Sequence, residues 1–334
     1  MNWRNTFRRT AFAVVFAVVA VLPAVGSSWQ PDILSGYEQR KVSLGNGDVA
    51  TVVRHCSNAS HRQAVVYLHG FNDYFFQSQL GDSIVAHGYS FYALDLRRYG
   101  RSLRQGDRPF DVGDLATYFA EIDSVLSVAK ADGVRNVYLL GHSTGGLILS
   151  YYLQQRGTGA GFIKGLMLNS PFLDMNLSWF QEKMLVPLVS IMPFKSMLIS
   201  QGNSRAYSES LLKRYHGEWD YNTSWKFEVS PKVSVGWITA IHRAQKKLHK
   251  KDTNIGVPIL LMRSARSVGG SDWNPDFNRG DSVLDVDDIS KFGRRLGSDV
   301  DERVFDGGLH DLILSAESVR NQVYATMFSW LSAR

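Results

Sequence analysis

Val137-Tyr138-Leu139-Leu140-Gly141-His142-Ser143-Thr144-Gly145-Gly146 is the stretch on which the reading of this chain turns. Its four leading apolar residues suit a strand buried on both faces. Residues 147–155 continue with helical spacing, so Ser143 falls on a tight strand-to-helix turn. Glycine on both sides of Ser143 is what such a bend demands, because side chains there would collide with neighbouring backbone. The bend lifts the hydroxyl clear of the strand ends, and the first turn of the following helix favours negative charge beside it. A bare Gly-x-Ser-x-Gly arises by chance; set between a strand and a helix, it points to a nucleophilic serine.

Outward from that bend, short apolar runs alternate with longer helical patterns. Strands are expected over residues 49–54, 64–68, 90–96, 137–140, 165–168, 259–262 and 303–305. Leu115, Tyr118, Phe119, Ile122, Val125, Leu126 and Ala129 recur at helical spacing, with Asp114 placed to cap and Gly133 just past the end. Val319, Val323, Met327, Trp330 and Leu331 repeat the pattern near the C-terminus. Such alternation predicts an α/β fold, a mostly parallel central sheet flanked by helices. Residues 175–252 break it: no convincing strand pair is present, and four of the eight tryptophans fall there. This segment reads as a helical lid inserted over the sheet's carboxyl edge. Most of its aromatic residues (Trp179, Phe180, Phe194, Trp219, Tyr221, Trp225, Phe227 and Trp237) are expected to form its own small core, with Met184 and Leu185. A minority should face the site as an apolar pocket.

Residues 1–26 stand apart. Arg4, Arg8 and Arg9 precede an apolar run over residues 11–22, and Ala24 and Gly26 are small residues suited to cleavage. This is the layout of a secretory signal peptide or, uncleaved, a membrane anchor; Arg8-Arg9 also resembles a twin-arginine signal. Export or membrane attachment is therefore expected, with residues 27–334 as one domain. The three arginines supply half of the net charge of +6, and what remains is too small and scattered for a nucleic-acid footprint. One basic run, residues 242–251, reads as a helix whose Val235, Ile238, Ile241 and Leu248 are buried. Arg243, Lys246, Lys247, Lys250 and Lys251 are left in solvent, the rival reading being contact with a membrane surface. The single cysteine, Cys56, excludes an intrachain disulfide and a multi-cysteine zinc site.

A neutral hydroxyl is a weak nucleophile and needs an adjacent base. In chains built around such a serine, the acid and then the histidine follow it, the histidine after the last strand. His310, in Gly307-Gly308-Leu309-His310-Asp311, occupies that loop. The acid belongs after the strand at 259–262, where Asp272, Asp276, Asp281, Asp285, Asp287 and Asp288 are available. Asp287 and Asp288 suit the first turn of a helix over 289–296. Asp281 is the first choice and Asp285 the second. An oxyanion needs two donors; the amides of Thr144 and Phe71, the latter in His69-Gly70-Phe71-Asn72, are the candidates. His69 is read as a prop for this loop. The chemistry requires no metal and no organic cofactor.

These residues resemble the α/β-hydrolase superfamily. More narrowly, the chain is similar to the serine aminopeptidase-type hydrolases that include monoacylglycerol lipases and lysophospholipases. The matching pieces are His69-Gly70-Phe71, the block Asp95-Leu96-Arg97-Arg98-Tyr99-Gly100-Arg101-Ser102, Gly141-His142-Ser143-Thr144-Gly145-Gly146, Asp281-Ser282-Val283-Leu284-Asp285 and Gly308-Leu309-His310-Asp311. The resemblance implies that Asp281 is the acid and that the substrate is a small-molecule ester or lipid. Two features differ from the family's pattern: Arg98 stands where glycine is usual, and residues 263–280 separate the acid from its strand. A peptidase is the rival, needing a carboxylate such as Glu182, Glu209, Glu218 or Asp220 to hold an α-ammonium group. A non-catalytic binder would have no need of serine, histidine and acid together.

Overall fold

The computed structural model describes residues 28–57, 61–175, 194–200 and 204–334. The expected signal or anchor over residues 1–26 lies outside these, as do Trp179, Phe180, Glu182, Met184 and Leu185 of the expected lid. Among the described residues no helix is long and apolar enough to cross a membrane.

The strands are β1 (Gln30–Pro31), β2 (Tyr37–Ser43), β3 (Val49–His55), β4 (Gln63–Leu68), β5 (Ser90–Asp95), β6 (Asn136–His142), β7 (Ile163–Asn169), β8 (Leu198–Ile199), β9 (Val233–Ser234), β10 (Ile259–Ser264) and β11 (Val300–Phe305). Nine of them form one sheet in the order β1-β2-β3-β5-β4-β6-β7-β10-β11. From β5 to β11 every pairing is parallel, and only the β1–β2, β2–β3 and β3–β5 pairings are antiparallel. Every strand expected from the sequence is present. The strand β2 went unread because Tyr-Glu-Gln-Arg-Lys-Val-Ser is half polar; only Tyr37 and Val42 are buried.

The helices are α1 (Ser78–Ala86), α2 (Phe119–Ala131), α3 (Thr144–Arg156), α4 (Ala206–Leu211), α5 (Val235–Leu248), α6 (Val286–Gly293) and α7 (Glu317–Ser332). Strand side chains alternate between two apolar layers, as a pleat of period two requires. Ala64, Val66 and Leu68 of β4 and Val137 and Leu139 of β6 join α2, α3, α5 and Ile289 of α6 on one face. Val65, Tyr67, Tyr138 and Leu140 meet α1 and α7 on the other, where Val323 and Met327 are fully buried. Asp114 caps a short 3₁₀ turn that runs into α2 by accepting from the Ala116 amide.

The described part of the 175–252 segment differs from its reading in two respects, a strand pair and a helix packed in the main core. A two-residue antiparallel pair, β8 with β9, lies within its described part. The helix α5 buries Trp237, Ala240, Ile241, Ala244 and Leu248 in the main core, flanking the sheet. Its basic face points outward: Arg243 and Lys246 are exposed, as are Lys250 and Lys251 just past its end, and Lys247 reaches the Tyr151 hydroxyl. Cys56 is free and exposed in the turn after β3.

Candidate active site

The bend after β6 is as tight as its sequence implies. Ser143 has φ +52° and ψ −118°, a conformation that costs a residue with a Cβ roughly 1–3 kcal/mol. The flanking glycines make the bend sterically feasible. A Cβ on Gly141 would fall 2.7 Å from the Gly146 backbone, and one on Gly145 would fall 2.4 Å from the Leu68 and His69 carbonyl oxygens. The strain is held by hydrogen bonds on both sides: the Ser143 amide donates to the Asn169 carbonyl at 3.0 Å, and the Phe172 amide donates to the Ser143 carbonyl at 3.0 Å.

His310 sits in the loop after β11 and is buried, and its Nδ1–H donates to Asp281 Oδ2 at 2.9 Å. That bond leaves the lone pair on Nε2. Asp281 is completely buried, and its Oδ1 accepts from the Val283 and Leu284 amides at 2.8 Å each. Asp285, the second choice, caps α6 instead, accepting from the Asp287 amide. The long interval before Asp281 closes on itself. The Asp281 amide donates to the Arg266 carbonyl and the Val268 amide donates to the Asp281 carbonyl. Residues 269–280 are thus an excursion, and Asp281 stands beside Ser267, a few residues past the end of β10.

Ser143 and His310 line one cavity of about 160 Å³. No hydrogen bond joins them among the described residues; catalytic contacts of this kind often tighten only in the complex with substrate. Phe71 lines the same cavity, and a Cβ on Gly70 would lie 3.1 Å from that of Ser143, so the 69–71 loop is pressed against the bend. Neither the Phe71 nor the Thr144 amide donates a hydrogen bond within the described residues. His69 is fully committed: its Nε2 accepts from the Leu96 amide at 3.2 Å, which leaves Nδ1–H to donate to the Gly70 carbonyl at 2.8 Å. It props the loop.

The neighbouring 95–102 block is scaffold. Asp95 accepts from the Phe75 and Arg101 amides, and the Arg101 guanidinium bridges Asp95 and Asp32 in the interior. Arg98 has φ +65°, the left-handed region where a glycine is easiest, which accounts for that residue type being usual there.

Five residues of the site were given no role in the sequence. Asn169, at the end of β7, accepts on its carbonyl from Ser143 and by side chain holds Asp311 Oδ1 at 2.7 Å, tying the bend to the histidine loop. Asp73 pairs with Lys226 at 2.8 Å, both buried. Asp73, His142 and Asp311 bring their polar atoms within 4.8 Å of one another, with the Lys226 ammonium already on Asp73. Burial pushes the His142 pKa down. Burial opposes ionisation of Asp73, but the Lys226 ammonium prevails and holds it below the usual carboxylate range. Asp311 adjoins His310 in sequence, a signal that could have been used; Lys226 gave none.

The described lining of the cavity is mixed. Phe71, Phe227 and Val283 are apolar, whereas Asn72, Tyr207, Ser208, Lys226 and Glu228 are polar. Trp219, Tyr221 and Trp225 instead pack with Tyr74, Phe76 and Leu309 in a separate small core.

Comparison with known proteins agrees with this architecture. A Haemophilus influenzae protein named probable lysophospholipase L2 is 23% identical over 211 residues, 57% of this chain. The chain spans 62% of that relative's length. A Saccharomyces cerevisiae monoglyceride lipase superposes with a TM-score of 0.63 at 20% identity, covering 95% of this chain and 97% of its own. A Paleococcus ferrophilus monoacylglycerol lipase gives 0.58 at 20%, covering 80% and 93%. Such structural likeness establishes the shared α/β-hydrolase fold. The serine aminopeptidase S33 model matches residues 59–317, most of the chain, and with the fold described above this places the protein among the S33 hydrolases.

Proposed function

We propose that the protein is a serine hydrolase of carboxylic esters, acting through Ser143, His310 and Asp281. The observation that carries this reading is the buried Asp281–His310 hydrogen bond at the wall of the cavity that Ser143 also lines. In the first step Ser143 Oγ forms a bond to the ester carbonyl carbon while His310 Nε2 takes the hydroxyl proton. The amides of Phe71 and Thr144 hold the resulting oxyanion. Collapse expels the alcohol, which takes the proton from His310, and leaves an acyl-enzyme. Water, deprotonated by His310, then attacks the acyl carbon and frees the acid and Ser143. Asp281 fixes the ring orientation and stabilises the imidazolium formed in each half.

The substrate class is a small ester or lipid of the lysophospholipid or monoacylglycerol kind, as the names of the relatives suggest. The lining supports it, pairing apolar Phe71, Phe227 and Val283 with polar groups suited to an alcohol portion. Among the described residues the peptidase alternative finds no free carboxylate: Glu209, Glu218 and Asp220 do not line this cavity, and Glu228, which does, is bound to Arg214 and Tyr215, while Glu182 lies outside the described residues. Nitrophenyl esters assayed beside aminoacyl anilides separate the two; preferential turnover of the anilides would replace the ester reading. Residues before 27 serve as the export signal or anchor, with part of 175–252 as a lid. Amino-terminal sequencing of the mature protein tests the former, and a soluble form beginning at Met1 contradicts it.

A further inference from the structure

We infer that Lys226 is a positioning residue that sets the oxyanion loop from outside the sheet, an inference resting on the esterase reading above. Phe71 supplies one candidate oxyanion donor, and the residues around it are bracketed from a distant part of the chain. Asn72 pairs reciprocally with the Phe227 backbone: its Nδ2 donates to the Phe227 carbonyl and its Oδ1 accepts from the Phe227 amide, both at 2.8 Å. Next door, the Lys226 ammonium donates to Asp73 Oδ1 at 2.8 Å, while Asp73 Oδ2 accepts from the Gly70 amide at 3.4 Å. The Asp73 carboxylate therefore spans the loop across Phe71. One residue further, the Tyr74 hydroxyl accepts from the Asn222 amide.

The cation is itself confined. The rings of Phe76, Tyr207 and Tyr221 surround its Nζ at 5.7–5.9 Å. A buried ion pair is a poor device for stability alone, since apolar residues of similar volume often serve as well. What it provides here is direction, because a fixed ammonium dictates where the Asp73 carboxylate, and with it the Gly70 amide, must lie. The donor at Phe71 is thus aimed by residues 222–227, about 150 positions along the chain. Lys226 also lines the cavity, so direct contact with substrate is the competing role.

The two roles separate in kinetics. A positioning role acts on the oxyanion, so its loss lowers kcat and weakens binding of an alkyl trifluoromethyl ketone, whose tetrahedral adduct mimics the oxyanion, while leaving KM alone. The variants are Lys226→Met and Asn72→Gly. The second removes the side-chain bridge to Phe227, and glycine keeps the φ of +50° that residue 72 adopts. Each should lower kcat for p-nitrophenyl butyrate roughly 10- to 100-fold, with a matching loss of ketone affinity and KM within about two-fold. The inference is overturned if folded Lys226→Met keeps its kcat, if KM rises while kcat holds, or if kcat falls with ketone affinity unchanged. Should Lys226→Met not fold, Asn72→Gly decides on the same three criteria. Ser143→Ala, run alongside, distinguishes the failures: a dead Ser143→Ala with an unimpaired Lys226→Met sinks only the positioning role, whereas an active Ser143→Ala sinks the esterase reading itself.

Discussion

Asp281 and Asp285 lie four residues apart, yet one faces an imidazole and the other a helix end. Asp281 Oδ2 accepts from His310 while its Oδ1 is held by two amides, so the carboxylate has no freedom to turn. Asp281→Asn should lower kcat by about 10⁴, as loss of the orienting acid does elsewhere. Asp285→Asn keeps an acceptor at the start of α6 and should leave kcat near wild type; steady-state kinetics on both checks the assignment. Chain order and the family pattern were enough to rank Asp281 first in the sequence. They could not show how it returns to the strand end, because the Arg266–Asp281 and Val268–Asp281 backbone bonds leave no mark in residue types.

Among the elements, the strand-to-helix bend tolerates little. Gly145→Ala would drive a methyl group into two carbonyl oxygens, and overpacking of this kind costs about 1–3 kcal/mol or more. A clear fall in the urea midpoint, with activity lost, is expected. The opposite holds for the 95–102 block. Arg98→Gly relieves a left-handed residue by about 1 kcal/mol but removes the Arg98 bond to the Asp111 carbonyl, so its urea midpoint should barely move. Most of the parallel strands were legible because they are largely apolar and buried between two helical layers, whereas in β11, Val-Asp-Glu-Arg-Val-Phe, only Phe305 is buried. The half-polar β2 and the two-residue β8 and β9 carry no such period.

Across the whole molecule, topology gathers the charges that no local pattern announces. Residues 73, 142, 169, 226 and 311 come from five separate parts of the chain and meet behind Ser143. Of these, His142 and Asp311 stood inside readable motifs beside the serine and the histidine, whereas Asp73, Asn169 and Lys226 stood in none. This buried cluster makes stability depend on pH. His142 has its folded pKa below the ordinary 6.5. The unfolded chain therefore binds a proton first as pH falls, and the contribution of His142 is complete above 6.5 and lost progressively below it. Asp73, also depressed, contributes above its ordinary 3.8 and loses that contribution only at lower pH. Urea unfolding at pH 8 and pH 5 should show a fall in wild-type stability that is smaller in His142→Gln; equal falls would contradict this origin.

Catalysis by this route requires a covalent bond to Ser143 above all. Rapid mixing with p-nitrophenyl acetate, quenched in acid and followed by peptide mass spectrometry, detects that bond directly. The expected result is a burst of nitrophenol near one equivalent with acetyl on the peptide containing Ser143, and both signals absent from Ser143→Ala, whose turnover falls by a factor on the order of 10⁶. Wild-type turnover in Ser143→Ala, or an acetyl group carried by another residue, would contradict it.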